Sequence, residues 1–244
     1  YEISACLVGS EMCIRDSDWT YVVFILPCVI ISLICQINVS STFSKYSQMR
    51  NSRNMTGAQA AEFVLRQNGV YGVRIERVAG NLTDHFDPRT NVIRLSDSVY
   101  NANTVAAVGV ACHEAGHAVQ HAQNYLPNKI RSAILPMANI GSKLSWFLII
   151  LGLCFSAKIG FVMLYIGIAL FGFSVLFTIA TLPVEFNASK RALETIKNGN
   201  LLYGEEYTGA KRTLQAAAMT YVASALTAIL QLLRLLIIAN NRRR

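Results

Sequence analysis

The chain has 244 residues, of which 53% are hydrophobic and only 15% are charged, well below the roughly 25% typical of a soluble domain. This composition excludes a disordered chain and predicts a polytopic membrane protein with one modest water-facing domain. The net charge of +8 comes from basic residues scattered between apolar stretches. We therefore expect the lipid bilayer, and no nucleic acid, as the partner of these residues.

The first segment, residues 1–17, resembles a translated sequencing adapter, and we interpret it as an artefact that carries no weight in the fold. Residues 18–40 contain an uncharged run, Trp19–Ile37, that is long enough to cross a ~30 Å hydrocarbon core at ~1.5 Å per residue. A cleaved signal peptide is the alternative, but no basic segment precedes the run. We therefore predict a transmembrane anchor.

The polar part of the chain, residues 41–143, is expected to fold as a small α+β domain. A capping-box pattern at Thr56 and Gln59 marks the start of its first helix. In chain order we predict a helix from Thr56 to Gln67, a strand over 73–78, a turn-rich connection over 84–89, a strand over 92–95, and a helix from Asn103 or Thr104 to about Gln123.

The second half of the chain is predominantly apolar. Residues 144–184 form two apolar stretches that are split at Lys158, which predicts a transmembrane hairpin. Residues 185–213 are polar, residues 214–240 form the last predicted span, and residues 241–244 form a basic tail. The predicted fold class is a mainly α membrane protein with about four transmembrane helices and a small α+β domain between the first and second spans.

The helix predicted to end near Gln123 carries an HExxH motif formed by His113, Glu114 and His117. Helix positions i and i+4 share a face, so the two imidazoles can bind one metal ion, and Glu114 is placed to take a proton from a water on that ion. The surrounding helix is apolar nearly all round, which indicates burial. Burying these three side chains is costly unless a cation compensates them, so the motif predicts one Zn²⁺.

The third ligand is not another histidine of this helix. Gln120 and Gln123 stand where the extended HExxHxxGxxH pattern would have glycine and histidine. His121 lies two turns, about 12 Å, beyond His113. Two nitrogens on one zinc ion cannot be more than about 4 Å apart, so His121 is expected to have a supporting or structural role instead.

Glu185 is the favoured third ligand. It lies at the start of a helix predicted to begin at Pro183 and to end before Gly199. Small residues on its stripe would allow a close approach to Gly116: they are Ala188, Ser189 and Ala192. The alternative, a glutamate favoured only by the helix dipole, stays open.

Topology constrains the same assignment independently. Glu185 and His117 can meet only if the chain crosses the membrane an even number of times between them, and the hairpin over 144–184 supplies two crossings. The side with the metal site would then carry most of the Lys and Arg residues, so the positive-inside rule predicts that it faces the cytoplasm of a multi-pass cell-membrane protein. The basic tail is evidence against this orientation if the last predicted span crosses the membrane, because the tail would then lie outside.

At these residues the chain resembles the YugP-type membrane zinc metallopeptidases, which are similar in their chemistry to the HtpX-like proteases. The resemblance covers roughly residues 19–242, and the matching stretches are residues 84–89, 92–96, 111–121, 139–141 and 182–186. It implies a zincin-like (gluzincin) domain, metal ligands at His113, His117 and Glu185, and Glu114 as the catalytic base. Asn187 departs from the aspartate we expect in the family, and a neutral side chain there would orient a histidine less firmly and weaken the metal.

The function implied is that of a membrane-embedded zinc endopeptidase that hydrolyses peptide bonds of membrane or membrane-associated proteins with a metal-activated water. The oxyanion donor is expected among Tyr203, Tyr207 and His121, and the strand over 92–95 could pair with a substrate peptide. Two rivals stay open: a non-catalytic zinc-binding membrane scaffold and a transporter. The transporter is disfavoured because Arg234 is the only charged residue within a predicted span.

Overall fold

The computed structural model describes residues 2–155 and 158–242, with side chains from Thr20 onward. Its elements in chain order are α1 (Glu2–Ser47), α2 (Gly57–Gln67), β1 (Arg74–Val78), β2 (His85–Asp87), β3 (Val92–Ser96), α3 (Asp97–Tyr100), α4 (Val105–Ala122), α5 (Leu126–Cys154), α6 (Lys158–Asn198) and α7 (Gly204–Asn241). They form two compact units. The apolar unit comprises the chain up to Ile34, Ser132–Ile179 and the chain from Val222, and the mixed unit comprises Cys35–Arg131 and Ala180–Tyr221.

Within the described residues, four helices are long and apolar enough to cross a membrane, as the sequence predicted: Thr20–Ser47, Leu126–Cys154, Lys158–Asn198 and Gly204–Asn241. Each of them extends beyond its predicted span. Helix α5 begins well before the predicted span at Leu144, and α6 continues through Pro183, where a new helix was predicted to begin. That prediction was wrong because a proline removes only one backbone hydrogen bond. Ending the helix in an apolar setting would leave several backbone groups without hydrogen-bond partners.

The apolar unit is held together by close helix packing. One cluster of its buried side chains comes from α5, α6 and α7: Ile149, Leu164, Ile168, Leu235 and Ala239. Gly152 allows α5 and α6 to touch, since a Cβ atom there would lie 2.6 Å from the backbone nitrogen of Leu164. Arg242 donates hydrogen bonds to the carbonyl oxygens of Gly152 (2.5 Å) and Phe155 (2.9 Å), which satisfies the exposed carbonyls at the end of α5.

The mixed unit contains a three-stranded sheet in the order β1-β3-β2. β3 is the central strand, parallel to β1 and antiparallel to β2. Two expectations therefore fail: β3 has no free edge for a substrate peptide, and the supposed loop over 84–89 contains a strand. The sequence did not reveal this strand because its residues are polar, and their side chains form hydrogen bonds within the sheet. The carboxylate of Asp84 accepts from the backbone nitrogen (2.7 Å) and hydroxyl (2.9 Å) of Ser96, and Asp87 accepts from Arg94 (3.2 Å).

Helices α2 and α4 pack on the sheet and on each other. The predicted capping box of α2 is confirmed, because the Thr56 hydroxyl accepts from the Gln59 nitrogen while the Gln59 side chain accepts from the Thr56 nitrogen. Helix α4 follows its predicted cap, Thr104, whose hydroxyl accepts from the nitrogen of Ala107 (3.3 Å). Most of α4 is buried, as its apolar sequence predicted. The HExxH motif therefore lies on a rigid central helix.

Candidate metal centre

Three side-chain atoms converge between α4 and α6. The Nε2 atoms of His113 and His117 are 3.2 Å apart, and Oε2 of Glu185 lies 3.3 Å from the first and 3.5 Å from the second. Two ligand atoms that each lie about 2.1 Å from a zinc ion at the tetrahedral angle are about 3.4 Å apart. This near-equilateral triangle of nitrogen, nitrogen and oxygen fits the donor types and spacing of three zinc ligands.

The two helices approach closely because small residues face each other. A Cβ atom on Gly116 would lie 2.9 Å from the backbone oxygen of Ala188, a distance that real Cβ atoms almost never show. Ala188 and Ala192 are fully buried on the same stripe of α6. The predicted reason for a glycine at position 116, the close approach of another helix, is confirmed. The approach brings Glu185 within reach of α4.

The second nitrogen of each imidazole also has a partner. Nδ1 of His113 lies 3.1 Å from the hydroxyl oxygen of Ser189, and Nδ1 of His117 lies 3.1 Å from Oε1 of Gln120. The amide oxygen of Gln120 can only accept, so it favours the His117 tautomer with hydrogen on Nδ1, which leaves the Nε2 lone pair of that ring available to a metal. Both rings are thus held with Nε2 directed at the shared centre.

Asn187 contacts the histidines of the site indirectly, through Gln120. Its Oδ1 accepts hydrogen bonds from Nε2 of Gln120 (3.0 Å) and from Nε of Arg191 (2.7 Å). It contacts Gln120 and not a histidine, so its effect on the metal would pass through the glutamine. The sequence singled out both residues but assigned Gln120 no role beyond excluding a ligand class.

Carboxylates make the centre favourable for a cation. Burial by itself would lower the pKa of His117, but the hydrogen bond to Glu185 and the negative charges of Glu114 and Glu185 outweigh it, so this pKa lies above its ordinary value. Glu114 is 9% exposed and is not a member of the ligand triangle. A bound dication would satisfy the same demand for positive charge.

The triangle is buried but not sealed. The side chain of Glu185 is 5% exposed, while those of His113 and His117 are 12% and 16% exposed. The carboxylate is therefore enclosed, and what access there is lies on the side of the imidazoles. A catalytic zinc site keeps one coordination position open for water or substrate, and this arrangement is compatible with that requirement.

The remaining predicted residues lie outside the triangle. The ring of His121 packs against Phe86, with ring centroids 5.8 Å apart, which agrees with the structural role predicted for this histidine. Tyr203 is exposed in the connection between α6 and α7, and Tyr207 packs partly buried against the core of the mixed unit. Within the described ranges, neither tyrosine is among the groups that hydrogen-bond the three triangle residues.

Tyr221 is the functional candidate that sequence reasoning missed. Its hydroxyl lies close enough to the carboxylate of Glu185 for the charge of that carboxylate to act on it, and Arg131 also acts on it electrostatically. The residue sits in α7, inside the span predicted over 214–240, where its apolar neighbours hide it. A hydroxyl-bearing side chain among aliphatic residues was the available signal, but the facing side of α7 could not be inferred.

A cleft of about 950 Å³ opens between α6 and α7 beside Ser189. Its apolar lining includes Phe186, Leu193, Leu214 and Met219. Because Ser189 contacts His113, the cleft borders the metal centre. Lys190, Glu194 and Lys197 also line the cleft, and its volume is that of a ligand pocket.

Comparison with known proteins assigns the chain to a family. The model of a family described as putative neutral zinc metallopeptidase matches residues 21–240. The chain belongs to this family. A relative from Bacillus subtilis (strain 168), named "Putative membrane protease YugP", is 41% identical over 213 residues, which are 87% of this chain and 93% of the relative. No solved structure matches the chain. The family resemblance that the sequence motifs indicated is confirmed, and family membership supports a zinc-dependent peptidase in a membrane.

Proposed function

We propose that this protein is a membrane-embedded zinc endopeptidase that hydrolyses peptide bonds of membrane or membrane-associated proteins. The observation that carries the proposal is the triangle of His113, His117 and Glu185, whose ligand atoms are 3.2–3.5 Å apart beside the buried Glu114. A structural zinc site is usually closed by four protein ligands, whereas a catalytic one has three and an open position. Three ligands with a neighbouring base favour catalysis over a scaffold.

The chain supplies the base and the ligands for this chemistry. Zinc, when bound, would act as a Lewis acid toward the scissile carbonyl and make water a better nucleophile. Glu114 would accept a proton from the attacking water on its carboxylate and deliver it to the leaving amine. Because Glu114 shares α4 with both histidines, its carboxylate is fixed relative to them by the helix.

Tyr221 is our candidate for the oxyanion donor, in place of Tyr203, Tyr207 and His121. Its phenol hydroxyl lies near the carboxylate of Glu185. A hydroxyl in that position can turn to donate to the oxygen on which negative charge develops during attack. Arg131 adds a nearby positive charge that favours the same charge development.

The substrate is proposed to bind as an extended peptide with an apolar side chain. Strand β2 is an edge strand of the sheet and, through the contact of Phe86 with His121, lies against α4. Its free backbone groups could pair with a substrate strand, the role first predicted for β3. The cleft bordered by Ser189 would take an apolar side chain of the substrate.

Glu114→Gln tests this function. The variant removes the base and leaves the three ligands, so it should retain bound zinc and lose proteolysis by several orders of magnitude. Zinc content and digestion of a membrane-protein mixture are measured on the full chain. Glu62→Gln is the matched control, since Glu62 is exposed on α2 and pairs with Arg66. A wild-type chain that binds zinc and cleaves nothing would favour the scaffold, and wild-type cleavage by Glu114→Gln would refute the mechanism.

A further inference from the structure

Gln120 is a completely buried amide on α4, and every one of its hydrogen-bonding groups is used. Oε1 lies 3.1 Å from Nδ1 of His117, and Nε2 donates to the backbone oxygen of Val184 (2.8 Å) and to Oδ1 of Asn187 (3.0 Å). A buried polar group left without a partner is destabilising, so this amide has a strong preference for one orientation.

That orientation is set by two acceptors, the backbone oxygen of Val184 and Oδ1 of Asn187, and the second of these is fixed from its far side by Arg191. A guanidinium can only donate, and its Nε donates to Oδ1 of Asn187 at 2.7 Å. The atom of Asn187 that faces Gln120 is therefore an acceptor, and Gln120 must present its NH₂ group to it. The amide oxygen of Gln120 must then face His117, which places the histidine hydrogen on Nδ1 and the lone pair on Nε2.

Arg191 is itself fixed in place. Its Nη1 donates to Oε1 of Gln123 at 2.6 Å, just beyond the end of α4. The guanidinium also lies over the ring of Tyr125, 5.8 Å from the centroid. Both glutamines that excluded the HExxHxxGxxH class in the sequence are thus partners of one network.

We propose that Arg191, Asn187 and Gln120 form a relay of positioning residues that sets the tautomer and orientation of His117 for metal binding; the proposal rests on the metal site of the proposed function. His113 has no such device, since the Ser189 hydroxyl beside its Nδ1 can donate or accept. The relay makes His117 the ligand whose metal-binding form is set before the metal arrives.

The relay also makes a prediction about position 187. Both side-chain groups that face Asn187 are donors, Nε2 of Gln120 and Nε of Arg191. A carboxylate accepts from both equally well, so Asn187→Asp should preserve the relay, whereas Asn187→Leu should break it. The neutral asparagine is then no handicap to the metal, contrary to the expectation from sequence.

The test is metal binding by the full chain in detergent. Zinc affinity is measured by competition with a chelator, and the geometry of the site by the visible absorption of bound Co²⁺. Gln120→Met, of similar length but without an acceptor, should weaken zinc binding by roughly 10–100-fold and alter the Co²⁺ spectrum. Asn187→Leu should weaken it as well, and Asn187→Asp should stay within about twofold of wild type.

A double variant separates a relay from independent effects. If the residues act in series, Gln120→Met with Asn187→Leu should bind zinc about as well as Gln120→Met alone, because the link is already broken. Additive losses in the double variant would overturn the relay. A merely structural glutamine would lower the unfolding temperature of the metal-free protein without changing the Co²⁺ spectrum, which would also overturn it.

Arg191→Met covers the case in which Gln120→Met does not fold, because Arg191 is only partly buried. Its matched control is Lys190→Met, which removes the same charge one residue earlier on α6, where Lys190 pairs with exposed Glu194 at 3.8 Å. Arg191→Met should bind zinc several-fold more weakly than Lys190→Met, and equal affinities would refute the proposal. A wild-type chain that binds neither metal would instead refute the proposed function.

Discussion

Each imidazole of the metal centre uses its two nitrogens differently. Nε2 points to the shared centre, and Nδ1 is bonded to an oxygen of Ser189 or Gln120. A histidine free to rotate or to change tautomer would lose part of its metal affinity to those alternatives. The chemistry of the site therefore depends on residues that never touch the metal.

Glu185→Ala should reduce zinc affinity sharply, because it removes the only carboxylate of the ligand triangle. Glu194→Ala is the matched control: Glu194 lies on the same helix, is exposed and pairs with Lys190. Chelator competition on the two purified variants gives the comparison. If both variants bind zinc like the wild type, Glu185 is not a ligand.

Tyr221→Phe should lower kcat by about 10²–10³-fold while zinc affinity changes little, since only a hydroxyl donor to the developing oxyanion is lost. Steady-state kinetics on a peptide substrate, with zinc content measured in parallel, test this expectation. Tyr203→Phe removes the same hydroxyl at an exposed position and should be close to wild type. Equal kcat values for the two variants would show that the donor lies elsewhere.

At the scale of the helices, the site depends on how near α4 and α6 can come to each other. The contact of Gly116 with Ala188 sets this separation, and each added methyl group would push Glu185 away from the histidines. Ligand distances in such a triangle tolerate only a few tenths of an ångström. Helix packing is in this sense part of the metal site.

Gly116→Ala should therefore weaken zinc binding and destabilise the protein by about 1–3 kcal/mol, the usual cost of overpacking a core. Gly172→Ala is the control, because Gly172 is also inside a helix but has open space where its Cβ would lie. Alanine there should be neutral or stabilising by up to about 1 kcal/mol. Thermal unfolding with and without zinc distinguishes the two variants, and identical behaviour would contradict the packing argument.

The sequence predicted the features that depend on local geometry. The pairing of His113 with His117 follows from the period of one helix, and the close approach of another helix to Gly116 was expected from the small residues on the stripe of Glu185. Glu185 was reached by elimination, because few carboxylates stood where a span meets a polar segment. Local pattern and the exclusion of competitors therefore sufficed for the three residues that the structure brings together.

Features set by contacts between distant elements were not predictable in the same way. Tyr221 reaches Glu185 only through the register of α7 against α6, which no periodicity in α7 specifies. β2 is held by the carboxylates of Asp84 and Asp87, residue types that ordinarily indicate turns. Pro183, a frequent first residue of helices, lies inside a continuous one.

At the scale of the whole molecule, the orientation in the membrane decides which compartment the metal centre faces. We propose that the metal centre faces the cytoplasm, because most Lys and Arg residues lie in the polar segments on its side of the predicted spans. Within the apolar unit, Arg242 caps the end of α5, so the start of the basic tail lies beside Phe155. This end would be external.

Cysteine labelling in intact cells tests the orientation. Native Cys154 is free and exposed near that end and should react with a membrane-impermeant thiol reagent, and Cys154→Ala should abolish the reaction. Tyr71→Cys, at a position 80% exposed in the mixed unit, should react only after the membrane is permeabilised. The other cysteines are replaced beforehand. Labelling of Tyr71→Cys in intact cells, without labelling of Cys154, would reverse the assignment.

The ligand triangle draws its members from positions 72 residues apart in the chain, His113 and Glu185. At a synthesis rate of roughly 5–20 residues per second, the histidines leave the ribosome several seconds before the carboxylate. During that interval the nascent chain carries an exposed HExxH helix with two of three ligands, and it can neither hold zinc firmly nor cleave its neighbours. On the proposed function, the late synthesis of Glu185 would therefore delay activity during biogenesis.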